Sequence, residues 1–304
     1  MIKAPRQEIL KNVYAVILVG GKGKRLRPFS TRAVPKAFLA VTKDNLTMFR
    51  RTIERIRKLI PSEHILVVAN KAHEKLVRKD FPGIRRENLL LEPVSRNTAP
   101  AIAFAAFRLR ARSKDAVMAV LPTDHYIREE GKYLESLRNG IRFLGTKKDA
   151  LVTVGLKPTF PATGFGYIRV QTKSAGARPG TVYEVESFVE KPDERNALRF
   201  LRDERYLWNT GTFIFTADTI LEAIRRLAPD IYSVLERHDD IVSAYAEFPD
   251  ISIDYAVMER ADTIYCVKGS YQWKDMGSLE NLKEILRLES RDSVTQGKRL
   301  VKVL

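Results

Sequence analysis

A mostly parallel, mixed α/β sheet flanked by helices is the fold class that this sequence predicts. Two observations carry it. Short β-branched apolar runs alternate with amphipathic segments through the first half of the chain, and glycine-rich or carboxylate-bearing strings fall just behind those runs, where open α/β sheets bind ligands. The 304 residues suit one large domain, alone or with a small appendage, and are enough to bury a sizeable core.

The first apolar run, residues 13–19, reads as a buried strand because it is short, β-branched and followed at once by glycine. Gly20, Gly21, Lys22, Gly23, Lys24 and Arg25 come next. Glycines let backbone N–H groups approach an anion closely, and Arg25 and Lys36 add positive charge at the same place. A strand, a glycine loop and fixed cations make a phosphate cradle; the alternative is an ordinary βα turn. Spacing excludes two familiar loops. A Walker loop needs Gly-Lys-Ser/Thr where Lys22 is followed by Gly23, and a dinucleotide fingerprint needs a third glycine where Leu26 stands.

Residues 47–60 predict a helix with Phe49, Ile53, Ile56 and Ile60 on one face. Arg50, Arg51, Arg55, Arg57 and Lys58 form the other, expected as a solvated face. A strand over 64–69, a basic helix near 71–80, a strand over 89–91, a helix over 97–110 and a strand over 116–121 complete a βαβα rhythm. Behind the third strand stand Glu92, Asn97, Thr98 and Pro100. Thr98 is the expected N-cap, and Asn97 either caps the helix or reads a base or ribose. Behind the fourth stands Asp124, which suits a Mg²⁺ ligand shared with substrate phosphates, or else a turn residue. His125 reads as structural.

Beyond about residue 150 the pattern changes. A strand over 151–156 precedes Gly164 and Gly166, which open an alternating strand and suit close approach of a ligand. A strand over 181–189 ends in Glu190 and Lys191, able to hold sugar hydroxyls and a sugar phosphate, or to form a surface ion pair. Trp208 to Gly211, with Asn209, precede a strand over 213–215, and helices follow near 218–227 and 229–237. Ser252 or Asp254 is expected to cap a helix through Glu259, a strand covers 263–267, and Asp275 sits on a loop before a last helix.

Lys plus Arg number 53 against 37 acidic residues, a net charge of +16, and the first sixty residues hold fifteen of those cations against three acidic groups. A nucleoside triphosphate would meet a favourable field there. Nucleic acid is not the expected partner, because no arginine–aromatic alternation or nucleic-acid motif accompanies the charge. The lone Cys266 excludes an intrachain disulfide framework or a Cys₄ zinc site and fits a cytoplasmic home. Lys3, Arg6 and Lys11 before the first apolar run imitate a signal peptide, but that run is short and leads into the glycine loop, so none is expected. No stretch approaches a membrane span.

These strings, in this order, closely resemble those of the mannose-1-phosphate guanylyltransferases (GDP-mannose pyrophosphorylases), sugar-phosphate nucleotidylyltransferases of glycosyltransferase-A-like, Rossmann-like fold. The resemblance rests on GGKGKRLRP with PKAF, EPVSRNTAPAIAFAA, LPTDH, TGFGYI, FVEKP, WNTGTFIF, SIDYAVMER and WKDMGS, and covers residues from about 13 to 280. It implies a catalytic domain over residues 1–290, with a nucleotide half to about 150 and a sugar-phosphate half beyond it. Gly20, Gly21, Gly23 and Arg25 would cradle GTP phosphates, with Lys36 near the reacting centre. Glu92, Asn97 and Thr98 would lie in the guanosine region, and Asp124 and Asp275 would bind Mg²⁺. Gly166, Glu190 and Asn209 would hold mannose and Lys191 its phosphate. The implied reaction transfers GMP from GTP to mannose 1-phosphate. Its rivals are the same chemistry on another nucleotide or hexose, and a catalytically silent regulatory relative. Two departures stand out. Leu279 replaces a usual Trp, and the chain ends at Leu304 where many relatives continue into a β-helical segment or an isomerase domain. Residues 298–304 are expected to begin such a segment, no fused isomerase is expected, and a homodimer is left open.

Overall fold

β1 (Val13–Val19) turns Val13, Ala15, Ile17 and Val19 into one apolar core and Val16, with Tyr14 and Leu18, into another. This two-residue alternation buries both faces, which is why the strand is written as an unbroken apolar run. The computed structural model describes residues 12–304 apart from 22, 114 and 173–179, so that Lys3, Arg6, Lys11 and Lys22 lie outside the described residues.

After β1 come β2 (Leu39–Ala40), α1 (Met48–Ile56), β3 (Ile65–Asn70), α2 (Glu74–Asp80), β4 (Leu89–Glu92), α3 (Thr98–Arg112), β5 (Val117–Pro122), β6 (His125–Ile127) and α4 (Glu130–Leu144). The second half holds β7 (Leu151–Leu156), β8 (Tyr167–Val170), β9 (Val182–Val189), α5 (Glu194–Arg202), β10 (Tyr206–Thr216), α6 (Ala217–Leu227), α7 (Pro229–Arg237), β11 (Ile264–Lys268), β12 (Trp273–Asp275), α8 (Leu279–Leu288), β13 (Ser293–Gln296) and β14 (Arg299–Lys302). Among the described residues, nine strands form one sheet in the order β4-β3-β1-β5-β10-β7-β11-β9-β8. β4, β3, β1 and β5 are parallel, and β7 and β11 are parallel to each other. β10 and β9 run against their neighbours, which makes the sheet mixed but mostly one-directional. Helices α1, α2 and α4 cover the face that holds Ile17, and α3, α6 and α7 cover the face that holds Val16.

Several elements differ from their sequence expectation. α1 ends at Ile56, with the Thr47 hydroxyl capping it by accepting from Arg50 N at 3.0 Å. Arg55 leaves the solvated face: it is 2 % exposed, with its guanidinium 5.7 Å from the Tyr133 ring and 3.5 Å from Glu130 Oε1. The sequence pattern does not announce α4 and α5. In α4 the apolar spacing of Tyr133, Leu134, Leu137, Ile141 and Leu144 is helical, but Gly131 and Gly140 blur it. Gly140 has a packing reason, since a methyl group there would strike Ile214 Cδ1. The strand expected over 213–215 is one piece from Tyr206 to Thr216, irregular between Asn209 and Phe213, where Gly211 has φ +67°.

Two small sheets complete the fold. β12 pairs antiparallel with β6, and the β13–β14 hairpin pairs through β13 with β2. Within residues 298–304, β14 (Arg299–Lys302) is the second strand of that hairpin. Val294 of β13 is fully buried with Leu26, Leu39, Met276 and Ile285, so the hairpin packs against the segment that follows the glycine loop. Among the described residues no helix is long and apolar enough to cross a membrane.

Candidate active site

A cleft of ≈ 270 Å³ opens at the carboxyl ends of β1, β4 and β5. Gly20, Gly21, Lys36, Glu92, Asn97, Thr98, Asp124 and Gly211 line it, so separate stretches of chain converge there. Gly21 and Gly23 have φ +92° and +55°, conformations that cost an L side chain and turn the loop under the cleft. A methyl group on Gly21 would also stand 3.1 Å from Lys36 Cε, so the glycine leaves room for that side chain to pass. Ser30 fixes the far end of the loop by donating from Oγ to Gly23 O at 2.6 Å.

Asp124 and Asp275 meet because β6 and β12 pair: Asp275 is opposite His125, and Met276 N donates to Asp124 O at 2.9 Å. Asp275 thus ends a short strand rather than lying on a free loop. Ligand atoms of Asp124, His125 and Asp275 lie within 4.8 Å of one another. The Lys36 ammonium forms an ion pair with Asp124. Burial opposes ionisation of Asp124, but that ammonium holds its carboxyl below the usual carboxylate range. Burial, and then the charge of Asp124, pushes Asp275 up. Two hard oxygen donors whose charges oppose each other this closely fit a Mg²⁺ ion, which needs only one or two protein carboxylates. His125 is buried, with its ring edge-on to Trp273 at 5.3 Å, and burial pushes its pKa down to about 4. Arg25 is exposed near Asp275: a methyl group on Gly277 would strike Asp275 Oδ1 and stand 3.5 Å from Arg25 Nη2.

A second polar cluster joins the start of β8, the end of β9 and the irregular middle of β10. Asn209 N donates to Gly166 O at 2.8 Å, and a methyl group on Gly166 would collide with Glu190 Oε2. Asn209 Oδ1 accepts from Thr153 Oγ1 and Gly211 N at 3.0 and 3.1 Å, while its Nδ2 donates to Asp254 Oδ1 at 2.9 Å. Lys191, at φ +51°, pairs with Glu190 and lies 5.9 Å from the Tyr255 ring. Gly166, Glu190, Lys191 and Asn209 are therefore one cluster. The helix expected through Glu259 is present as a single π-turn, Asp254–Met258; Ser252 Oγ accepts from Tyr255 N at 3.4 Å ahead of it, and Asp254 turns its carboxylate into the cluster and the cleft instead of capping. Burial, and then the Glu190 charge, pushes it up to about 7 against the opposing Lys191.

At the opposite end of the cleft the N-cap of α3 is Asn97, whose Oδ1 accepts from Thr98 N at 3.0 Å, and not Thr98. Asn97 has φ +67°, a conformation asparagine tolerates better than most residues. The Thr98 hydroxyl accepts from Ile253 N at 2.9 Å and so ties α3 to the segment that carries Asp254. Glu92 is 6 % exposed and accepts from the Tyr245 hydroxyl at 2.5 Å.

The nucleotidyl transferase family model matches residues 14–291 of this sequence. The chain belongs to that family. Among curated relatives, the alginate biosynthesis protein AlgA of Pseudomonas aeruginosa is 39 % identical over 300 residues, spanning 94 % of this chain and 61 % of the relative. The mannose-1-phosphate guanylyltransferase of Escherichia coli is 36 % identical over 300 residues, spanning 94 % and 62 %. The chain thus spans about three fifths of the length of these two relatives. The crystal structure of a Thermus thermophilus protein described as a mannose-1-phosphate geranyltransferase superposes with TM-score 0.80 at 37 % identity, covering 90 % of this chain and 79 % of that one.

In this nucleotidyl transferase three residues escaped the sequence reasoning. Asp254 was hidden by its resemblance to a cap. Trp273 was read only as part of its motif, yet its ring joins His125 to Phe165 at 5.3 and 5.1 Å and so bridges the carboxylate pair and the second cluster. Tyr245 carried no local signal, because its contact with Glu92 spans 153 positions of sequence.

Proposed function

We propose that this nucleotidyl transferase moves GMP from GTP to α-D-mannose 1-phosphate, giving GDP-mannose and pyrophosphate. A phosphate oxygen of the sugar forms a bond to the α-phosphorus of GTP, and the bond from that phosphorus to the bridging oxygen of pyrophosphate breaks. The sugar phosphate is already ionised at neutral pH, so no strong general base is required. The observation that carries the proposal is the Asp124–Asp275 pair, with Lys36, at a glycine-loop cleft whose wall also includes Asp254, the hydrogen-bond partner of Asn209 in the Glu190–Lys191–Asn209 cluster. The E. coli relative's name supports the choice of substrates.

In this reading Gly20, Gly21, Gly23 and Arg25 receive the triphosphate, and Lys36 and Arg25 offset the charge that gathers on the leaving group. Gly166, Glu190 and Asn209 bind the hexose, and Lys191 its phosphate. Asp124 and Asp275 hold Mg²⁺, which when bound supplies charge neutralisation and a template for the phosphate oxygens. The nucleobase end of the cleft combines apolar Leu18, Val68, Ala101 and Ile102 with the Glu92 carboxylate. An acceptor-only group suits guanine, whose N1–H and N2–H donors are adjacent, better than a base edge that alternates donors and acceptors. Asn97 and Thr98 flank the same nucleoside. The catalytic unit extends over residues 1–290, with its nucleotide half before about residue 150 and a tail at 291–304.

Initial rates of Mg²⁺-dependent pyrophosphate release over four nucleoside triphosphates and several sugar 1-phosphates test this. GTP with mannose 1-phosphate should give the highest kcat/KM. A faster pair of substrates would reassign the specificity, and no release with any pair would mark a silent relative.

A further inference from the structure

Tyr245 has no part in the chemistry above, yet it is fully buried against the nucleobase end of the cleft. It lies in a 3-10 turn, Tyr245–Glu247, between α7 and the π-turn. Its ring stands edge-on to Phe104 of α3 and to Phe248, with centroids 5.8 and 5.1 Å apart. Arg96, four residues past Glu92, donates to Ala246 O and ties the same turn to the cleft wall. The phenol is thereby a fixed donor, 2.5 Å from Glu92 Oε1, and among the described residues it is the group that donates to this carboxylate.

We infer that Tyr245 is a positioning residue for nucleobase selection, its phenol orienting the Glu92 carboxylate so that the remaining oxygen accepts the paired N–H donors of a guanine edge. The inference rests on the nucleotide assignment proposed above. Burial pushes Glu92 up to about 7, and the phenolic hydrogen bond works against that rise by favouring the ionised form. The Tyr245 hydroxyl is itself held far above its ordinary range by burial, so it donates at every working pH. Other charged groups on the cleft wall are Lys36, Asp124 and Asp254, and the guanidinium of Arg96 is engaged with the Ala246 carbonyl. From β3, the residue in register with Glu92 is the neutral Asn70. A protonated Glu92 would point a donor at a guanine donor. Losing the phenol therefore weakens guanine selection and moves the loss to higher pH.

The test measures kcat/KM for GTP and for ITP, which lacks the 2-amino group, from pH 6 to 9 on the full chain with wild type, Tyr245→Phe and Glu92→Gln. Tyr245→Phe should raise KM for GTP about five- to tenfold at pH 7 and shift the acid limb upward by up to about one pH unit, the effect of one hydrogen bond to a charged group. The GTP-to-ITP preference should shrink, while kcat and KM for mannose 1-phosphate stay unchanged. Glu92→Gln should abolish the part of the limb that Tyr245→Phe shifts, and a limb that persists in Glu92→Gln overturns the inference even if Tyr245→Phe folds poorly. An unmoved limb with an unchanged GTP-to-ITP ratio overturns the role of Tyr245, as does an equal loss toward both nucleotides and the sugar phosphate. Absence of wild-type turnover with GTP would instead overturn the nucleotide assignment, and this inference with it.

Discussion

Lys36 reaches Asp124 from a 3-10 turn that begins after Pro35, and burial, which would lower the pKa of the ammonium, is outweighed by Asp124 and Asp275. Lys36→Met keeps the apolar stem and removes the charge. Pyrophosphate release should fall by about 10²–10³-fold, the range for losing one preorganised group at a developing charge. Its thermal midpoint at pH 7 should fall as well, because two facing carboxylates lose their counter-ion, and millimolar Mg²⁺ should restore part of that loss. Asp254 gives the pH signature. Its folded-state pKa, about 7, is raised above the ordinary 3.8, so the native protein binds more protons than the unfolded chain between those values. The stability it contributes is present below pH 4 and is lost as pH rises through 7. Asp254→Asn should therefore melt higher than wild type at pH 8, by about 2 °C or more, and converge with it toward pH 4, in scanning calorimetry. Its KM for mannose 1-phosphate should rise, because Asn209 Nδ2 loses a charged acceptor. Most residues that gather at the cleft and at the second cluster were legible as candidates because they stand behind buried strands, where this class of sheet binds ligands. Asp254 was not, because a Ser-x-Asp string ahead of apolar residues is what an ordinary helix cap also looks like.

At the scale of elements, the site depends on one short ribbon. β6 and β12 are three residues each, too short for periodicity to reveal, and they join segments that lie far apart in sequence. The sequence therefore placed Asp124 and Asp275 on separate loops and could not derive their meeting from pattern; the family resemblance implied it. Gly277 follows that ribbon and keeps Asp275 in place. Gly277→Ala would displace the Asp275 carboxylate, and turnover should fall about 10²-fold, as for a displacement of roughly 1 Å at a reacting centre. The thermal midpoint should change little, since the displaced side chain is only half-buried. Elements whose apolar pattern is uninterrupted were the legible ones: α7 falls on its expected bounds, as does β7. α4 was missed because Gly131 and Gly140 interrupt a good apolar spacing, and Gly140 answers a tertiary constraint, the nearby Ile214, that no local window contains.

For the whole molecule, the βαβα rhythm identified the parallel half of the sheet because both of its faces are covered by helices and its strands are continuous apolar runs. The antiparallel insertion of β10 between β5 and β7 has no such signature, since pairing order is a property of the whole chain. The C-terminal hairpin has a structural task that composition did not disclose. Val294 is buried against Leu26 and Leu39, and Gln296 Nε2 donates to Phe29 O at 2.7 Å, so the hairpin braces the segment that follows the glycine loop. Val294→Ala should cost about 1–3 kcal/mol in denaturant unfolding, the worth of one buried valine and its cavity. It should also raise KM for GTP more than KM for mannose 1-phosphate. The central claim is that the paired carboxylates hold a divalent ion between two anionic substrates. The Mg²⁺ dependence of pyrophosphate release by wild type and Asp275→Asn tests it most directly. The account predicts no turnover in excess chelator, saturation of wild type by Mg²⁺, and a variant that needs about 10- to 100-fold more Mg²⁺. Turnover by the wild type in chelator, or the same Mg²⁺ dependence for both proteins, would contradict it.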